Sequence, residues 1–144
     1  MDAIRWQGTS LALLDQTKLP VEEVWGDYTD YRAVAEAIRR LVVRGAPAIG
    51  ISAAYAVCLA ALEHQDRPEG FRAGLEEALE TLAASRPTAV NLFWALDRMR
   101  GVLEEQGWAP GAIPALIRTA ESIHREDIAM DRKMGKHGAS LVPK

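Results

Sequence analysis

The feature that most constrains the fold is an apolar segment that directly follows Pro47. Residues 48–61 are nearly all small or apolar, and they include Gly50, Tyr55 and the chain's single cysteine, Cys58. Because a helix that is apolar on every side belongs at the centre of a globular fold, this segment predicts the core helix. We expect that helix to run from Pro47 to about Leu62, and its small side chains would let neighbouring helices approach closely.

Four further segments show helical spacing of apolar residues around this core. Asp30 is a suitable N-cap for the first of them, and Thr88 is a suitable cap for the third. Gly107 lies where a helix C-terminal cap is expected. The predicted helices are Tyr31 to about Val42, Phe71 to Ser85, Ala89 to about Gln106, and about Pro114 to about Gly135.

The N-terminal region shows short apolar runs separated by turn-like residues. The runs are Ile4–Trp6, Ser10–Asp15 and Val21–Trp25. They predict a three-stranded antiparallel meander within residues 1–26, with no strand after Gly26. A sheet this small needs support, so one face should rest on the helices. The fold class is therefore mainly α (α+β), with a small N-terminal sheet and a bundle of about five helices over residues 31–138.

Bulk properties exclude several classes of function. The 144 residues are enough for one domain with a core, and the net charge of −3 does not favour binding to nucleic acid or to a membrane. One cysteine cannot form an intrachain disulfide, and residues 1–3 do not begin a signal peptide. We therefore expect a cytoplasmic domain.

The connection before the core helix carries the residues that are best suited to bind an anion. Pro47 favours a helix start, where backbone N–H groups and the positive end of the helix dipole are available. Gly45 permits close approach by a ligand, and Arg44 adds a planar charge. Arg86 precedes a second predicted helix start, so the two arginines could bind one anion together. The alternative is that both are solvated charges on loops.

Other chemical candidates are weaker. Cys58 lies inside the apolar helix, where a thiol behaves as a small hydrophobic group rather than a nucleophile. His64, His124 and His137 have no metal-ligand spacing with one another or with Cys58, so we expect no metal site.

Three motifs occur together and in order along the chain. They are Asp15-Gln16-Thr17-Lys18-Leu19-Pro20, the run from Val43 to Gly50 followed by Ala53-Ala54-Tyr55, and the run from Ser85 to Ala95. This set resembles the N-terminal portion of the methylthioribose-1-phosphate isomerases of methionine salvage. That family is related to the regulatory α, β and δ subunits of the eukaryotic translation-initiation nucleotide-exchange factor and to archaeal ribose-1,5-bisphosphate isomerases. The third motif is more similar to the methylthioribose branch.

The resemblance implies a protein of two parts, of which residues 1–144 would be the first and a Rossmann-like catalytic domain the second. By this resemblance Arg44, Gly45 and Ala46 match the loop that binds the substrate phosphate, and Arg86 matches a second substrate-binding position. The family's catalytic cysteine and aspartate have no match here, and Cys58 does not correspond to that cysteine. The resemblance thus implies an aldose–ketose isomerase portion that is inactive alone and needs no cofactor. Its partners would be a phosphorylated sugar and the missing C-terminal domain, and the family's dimers allow a homodimer.

Two other functions stay open at this point. A regulatory or scaffold subunit would keep the fold and use it for protein contacts, although such a subunit has no need of two arginines at helix starts. A plain helical interaction module would apply if the resemblance were accidental.

Overall fold

The computed structural model describes the backbone of residues 3–43 and 45–137, and the side chains up to residue 126. Arg44 lies outside the described residues. Residues 138–144 also lie outside them.

The N-terminal sheet has three antiparallel strands in the order β1-β2-β3: β1 (Ile4–Trp6), β2 (Leu11–Leu14) and β3 (Trp25–Tyr28). Ile4 pairs with Leu13, and Leu11 pairs with Tyr28 across the other ladder. All four residues of β2 are buried, and so the central strand belongs to the core. The prediction of a small antiparallel sheet is confirmed.

The predicted position of the third strand is wrong. The segment Val21–Trp25 was expected to pair, but β3 begins at Trp25 and extends past Gly26. The chain after β2 instead forms a 3-10 turn over Gln16–Lys18, and the N–H of Glu22 then donates to the carbonyl of Lys18. Val21 is left 88% exposed as a result. Its β-branched side chain favours a strand, but the turn that precedes it keeps this segment from pairing with β2.

Five α-helices follow the sheet in the described part of the chain, in agreement with the prediction of about five. They are α1 (Tyr31–Arg39), α2 (Ala46–Glu63), α3 (Pro68–Ser85), α4 (Val90–Gln106) and α5 (Ile113–His137). Every residue of α2 from Ile49 to Ala61 is buried, and α2 packs against each of the other four helices. The prediction of a central apolar helix is confirmed. Among the described residues α2 alone has the length and hydropathy of a membrane span, and 72% of that window is buried inside the fold.

The sheet rests on α2 through an aromatic stack. The ring of Trp6 in β1 lies parallel to the ring of Tyr55, with 5.1 Å between their centroids. The Tyr55 hydroxyl lies 2.9 Å from Nδ1 of His124 in α5. This chain of contacts joins the sheet, the core helix and the last helix, which explains why a three-stranded meander is stable here.

The first helix ends earlier than its apolar spacing predicts. Asp30 caps it as expected, because its side chain accepts from the N–H of Arg32. At the other end the N–H of Val42 donates to the carbonyl of Ala37, and Leu41 takes a positive φ of 67°. This is a Schellman ending with leucine in the position that glycine usually holds. A non-glycine residue there costs about 1–2 kcal/mol. Because position 41 holds leucine and not glycine, no residue type marked the end of this helix.

Candidate anion-binding site

The predicted helix starts meet at one open pocket of about 390 Å3. It lies where the N-terminal ends of α2 and α4 come together beside the end of α1. Its lining residues are Leu41, Gly45, Ala46, Ile49, Arg86, Thr88, Ala89, Val90 and Asn91. Of the four site residues that the sequence predicts, three are therefore in one place. Arg44 adjoins Gly45 in sequence and lies outside the described residues.

Gly45 is the N-cap of α2, and its conformation requires glycine. Its φ is 91°, which side chains of L residues rarely adopt, and a Cβ there would meet no atom within 4 Å. The constraint is thus conformational rather than steric. The first helical hydrogen bond runs from the N–H of Ile49 to the carbonyl of Gly45. The earlier N–H groups of the helix, including that of Ala46, precede this ladder, and no described residue accepts a backbone hydrogen bond from them.

Pro47 occupies the second helical position rather than the first, which we predicted for it. The physical consequence is unchanged. The N–H groups of the first helical turn have no intrahelical acceptor, and proline has no N–H that would need one.

The start of α4 differs from its prediction. Ala89, not Thr88, is the N-cap, and no side chain caps the helix. The Ala89 N–H is used by the carbonyl of Arg86, 2.9 Å away. The next N–H groups, those of Val90 and Asn91, begin a helix with no acceptor supplied by a side chain. An uncapped helix start at a pocket is a suitable place for an anion.

The guanidinium of Arg86 has no competing partner within the described part of the chain. It is half-buried at the end of α3, and no carboxylate or carbonyl of the described residues binds it. Arginine offers a planar fork of donors that fits phosphate and carboxylate oxygens. Arg86 can therefore bind a ligand without first breaking an internal ion pair.

A close approach of two backbones holds the helix starts together. A Cβ placed on Gly50 would lie 2.9 Å from the carbonyl oxygen of Asn91 and 3.6 Å from the Cβ of Ala95. Only glycine allows this spacing, because backbone atoms cannot rotate away as a side chain can. Gly50 thus fixes the separation between α2 and α4 directly behind the pocket.

The first sequence motif supports the loop that enters the pocket. The N–H of Gln16 donates to the carbonyl of Val42 over 2.9 Å, and Val43 is buried. Asp15 holds the turn in shape by accepting from both the N–H and the hydroxyl of Thr17, and that hydroxyl lowers the pKa of the Asp15 carboxyl. The motif therefore acts from behind the site and does not line it.

Sequence reasoning missed several lining residues. Leu41 lines the pocket, and its backbone has a positive φ of 67°. No sequence pattern indicates that conformation for a leucine. Thr88 was interpreted as a helix cap, and it lines the pocket instead. Asn91 also lines the pocket. It belongs to the run from Ser85 to Ala95, and the resemblance of that run to a known family was the one sequence feature that could have indicated its position.

The pocket has the chemistry of a binding site and lacks that of proton transfer. Among the described residues that line it there is no carboxylate, histidine, cysteine or lysine. Cys58 cannot contribute, since it is fully buried in α2 and burial raises the pKa of its thiol. The described groups can hold and orient an anion, and acid–base chemistry needs groups from elsewhere.

A larger groove between α4 and α5 is less suited to a specific anion. Its volume is about 640 Å3, and its lining mixes Arg98, Arg118 and Arg125 with Glu105 and Glu121. Arg98 is already bound in bidentate fashion to Glu126, at 2.8 and 2.9 Å. The opposing charges leave little net field, so the smaller pocket is the better candidate for an anion site.

Comparison with known proteins agrees with this fold and defines its class. The model of the initiation factor 2 subunit family matches residues 42–144, and the chain belongs to that family.

Within the family, the chain is similar to methylthioribose-1-phosphate isomerases. It is 54% identical over 142 residues to the one from Thioalkalivibrio sulfidiphilus, covering 97% of this chain and 40% of that protein. It is 53% identical to the one from Stutzerimonas stutzeri, covering 97% and 39%. The chain thus spans about two fifths of the length of these curated relatives.

Two crystal structures share the fold. One is 5-methylthioribose 1-phosphate isomerase from Pyrococcus horikoshii, with a TM-score of 0.89 and 36% identity over 99% of this chain and 41% of that one. The other is described as the delta subunit of translation initiation factor eIF-2B from A. fulgidus. Its TM-score is 0.87, with 37% identity over 99% of this chain and 42% of that one.

Proposed function

We propose that this chain is the substrate-phosphate-binding portion of an aldose–ketose isomerase. The reaction would convert 5-methylthioribose 1-phosphate to 5-methylthioribulose 1-phosphate in the methionine salvage of the cytoplasm. The observation that carries the proposal is the meeting of two helix N-termini at one pocket with Arg86, an arginine that no described residue pairs with. Its support from outside the pocket is the identity of about one half to isomerases of that name.

The charge at the pocket suits a phosphate ester. A helix N-terminus acts as roughly half a positive charge, and a phosphate monoester carries about −1.5 to −2 at neutral pH. The starts of α2 and α4 together with Arg86 therefore match the ligand's charge. The N–H groups of Ala46, Val90 and Asn91 would supply directional hydrogen bonds. Arg44 would add a second fork, by its resemblance to the family's phosphate loop.

Holding this phosphate is a substantial part of the catalytic task. Because the phosphate is esterified to the C1 oxygen, this sugar cannot open to a free aldehyde. As the ring C1–O bond breaks, the hydrogen on C2 must move to C1, the C2 hydroxyl becomes the ketone, and its proton ends on the released ring oxygen. The pocket would fix C1 relative to the acid and the base, and positioning of that kind lowers the barrier by removing rotational freedom. The proton-transfer groups would come from the family's catalytic domain. The reaction as proposed uses no cofactor.

A regulatory subunit is the second candidate. It is favoured by the family's description and by the likeness to the A. fulgidus subunit. The intact pocket favours the isomerase. A purely regulatory role gives no reason for an arginine, unpaired among the described residues, to lie beside two helix starts that no side chain caps. Binding of a sugar phosphate distinguishes the two.

The test uses this chain joined to the remaining length of the T. sulfidiphilus relative. We expect the joined protein to turn over methylthioribose 1-phosphate and the 144-residue chain alone to be inactive. Arg86→Ala should weaken binding by roughly 10- to 150-fold, which corresponds to about 1.5–3 kcal/mol for a charge-assisted contact. Arg86→Lys should recover part of this loss, because lysine keeps the charge and loses the fork.

The matched control is Arg118→Ala, which removes a charge from the groove between α4 and α5. It should leave the affinity unchanged. Arg44→Ala should behave like Arg86→Ala. Turnover by the 144-residue chain alone, persisting in Cys58→Ala, would show that the chemistry has been misplaced. If Arg86→Ala binds the substrate as tightly as the parent protein does, the pocket is not the phosphate-binding site.

A further inference from the structure

The groove between α4 and α5 is lined by charges of both signs that do not pair with one another. Glu105 on α4 and both Arg118 and Glu121 on α5 line it. Within the described part of the chain, none of these three side chains takes part in an ion pair. The groove therefore presents one cation and two anions whose polar atoms are open to a ligand.

The register of the two helices places Glu105 and Arg118 on opposite walls at nearly the same height. The short segment 107–112 joins α4 to α5 and the two helices pack together, so they run antiparallel. Arg98 binds Glu126 at 2.8 and 2.9 Å, which fixes the alignment at one end of the groove. An equal rise along both helices from that pair, at about 1.5 Å per residue, brings Glu105 level with Thr119, the neighbour of Arg118. The two opposite charges thus flank the same part of the groove without bonding to each other.

Two hydroxyl groups on the α5 wall keep part of their hydrogen-bonding capacity. The hydroxyl of Thr119 donates to the carbonyl of Ala115 over 2.8 Å, so its oxygen can still accept. The oxygen of Ser122 accepts from Arg125 over 3.2 Å, so its O–H can still donate. Val102 and Ala115 add a small apolar surface to the lining. A few placed polar groups beside apolar surface are typical of a site for a small molecule.

We propose that this groove binds a small zwitterion of the α-amino acid class, with its carboxylate on Arg118 and its ammonium on Glu105. A guanidinium can bind a carboxylate through two parallel N–H···O bonds, and an ammonium offers three donors to carboxylate oxygens. A free α-amino acid carries both charges at neutral pH. Its side chain would lie on the apolar surface of Val102 and Ala115. The site shares no residue with the anion pocket, so the inference goes beyond the proposed function.

A phosphate ester and a partner helix are poorer occupants of this groove. Glu105 and Glu121 repel a ligand that carries negative charge alone. An amphipathic helix needs a hydrophobic groove, and Val102 and Ala115 are the apolar residues among the described lining. A ligand with both charges on a small frame satisfies each wall.

The test is an NMR titration of the 144-residue chain with glycine and with L-leucine. We expect saturable shifts of the side-chain N–H signals of Gln106 and Arg118 with both probes, and tighter binding of leucine through its apolar side chain. The amide signals of Ala46 and Asn91, at the anion pocket, should not move. N-acetyl-L-leucine lacks the ammonium and L-leucinamide lacks the carboxylate. Each should bind about fivefold or more weakly than leucine, the ratio for a lost contact of about 1 kcal/mol.

Single variants test the two charges. Arg118→Gln and Glu105→Gln should each weaken leucine binding by about the same factor of five. Glu104→Gln is the matched control, because Glu104 is exposed beside Glu105 and does not line the groove, and its affinity for leucine should equal that of the parent.

Two results would overturn the proposal. One is the absence of saturable shifts with both glycine and leucine, which would leave the groove as a solvated surface. The other is equal binding of leucine and either derivative, which would indicate a site for a single charge. Neither result depends on sugar phosphate or on turnover, so a failure here is distinguishable from a failure of the proposed reaction.

Discussion

Replacing Gly50 by alanine tests whether close contact between α2 and α4 builds the site. The new Cβ would lie 2.9 Å from the carbonyl oxygen of Asn91, whereas ordinary contacts of a Cβ begin at 3.4 Å. The two helices must therefore separate by about half an ångström, since the obstructing atom belongs to backbone. That shift falls directly behind the N–H groups proposed to bind the anion.

Two opposing effects set the size of the change. Alanine is favoured over glycine inside a helix by about 0.5–1 kcal/mol, partly through the unfolded chain. Overpacking a tight contact costs about 1–3 kcal/mol. Gly101 separates the two effects, because it lies within α4 and a Cβ there would meet nothing within 4 Å. Gly101→Ala should thus show the gain in stability from replacing glycine in a helix, without the loss from overpacking.

The assay is urea unfolding of the 144-residue chain and the two variants. We expect Gly101→Ala to raise the free energy of unfolding by about 0.5–1 kcal/mol, and Gly50→Ala to lie about 1–3 kcal/mol below Gly101→Ala. Gly50→Ala should also bind inorganic phosphate more weakly than Gly101→Ala does. If the two variants were equally stabilised, the close approach at Asn91 would not exist in solution.

Three further predictions concern single groups. The Cys58 thiol should not react with a disulfide reagent at pH 8 until the chain is unfolded, because burial raises its pKa; rapid labelling of the native chain would contradict this. The hydrogen bond from Arg98 lowers the pKa of the Glu126 carboxyl. Their ion pair therefore stabilises the fold at pH values above the ordinary pKa of a glutamate carboxyl, and this effect is lost as the pH falls through the lowered pKa. Glu126→Gln should therefore cost about 0.2–1 kcal/mol near neutral pH, the range of exposed pairs, and nothing near pH 2, as read by urea unfolding at both values. Gly45→Ala should cost about 1–3 kcal/mol, because Gly45 combines a φ of 91° with a ψ of 133°. An unchanged thermal unfolding midpoint would show that this position does not require glycine.

Much of the architecture follows from the sequence because its signals are local. The apolar run after Pro47 identified the central helix, and Asp30 marked the start of α1 with the hydrogen bond it makes. Helix periodicity extends over many residues and is not easily overridden. The number of helices and the antiparallel sheet were predictable for this reason.

The errors lie where tertiary structure decides between local options. Val21 has strand propensity, yet the 3-10 turn after Asp15 moves the strand to Trp25–Tyr28. Leu41 ends α1 in a conformation that leucine disfavours, and no residue type announces it. Thr88 suits a cap in isolation, but the carbonyl of Arg86 takes the N–H of Ala89 and shifts the helix start by one residue.

The meeting of the candidate site residues at one pocket was predictable in part, and their binding of an anion stays a prediction. Gly45, Ala46 and Arg86 do lie at one pocket, although they are far apart in sequence, and their convergence depends on the contact at Gly50. That contact joins residues on different helices, and no spacing along one chain reveals it. Arg44 lies outside the described residues, so its part in phosphate binding stays a prediction.

The most direct test of the anion site is an amide NMR titration of the 144-residue chain with methylthioribose 1-phosphate. Binding at the pocket predicts saturable shifts at the N–H groups of Ala46, Val90 and Asn91, and their loss in Arg86→Ala. Shifts confined to the α4–α5 groove around Arg118 and Arg125, or unchanged in Arg86→Ala, would contradict the assignment of the site.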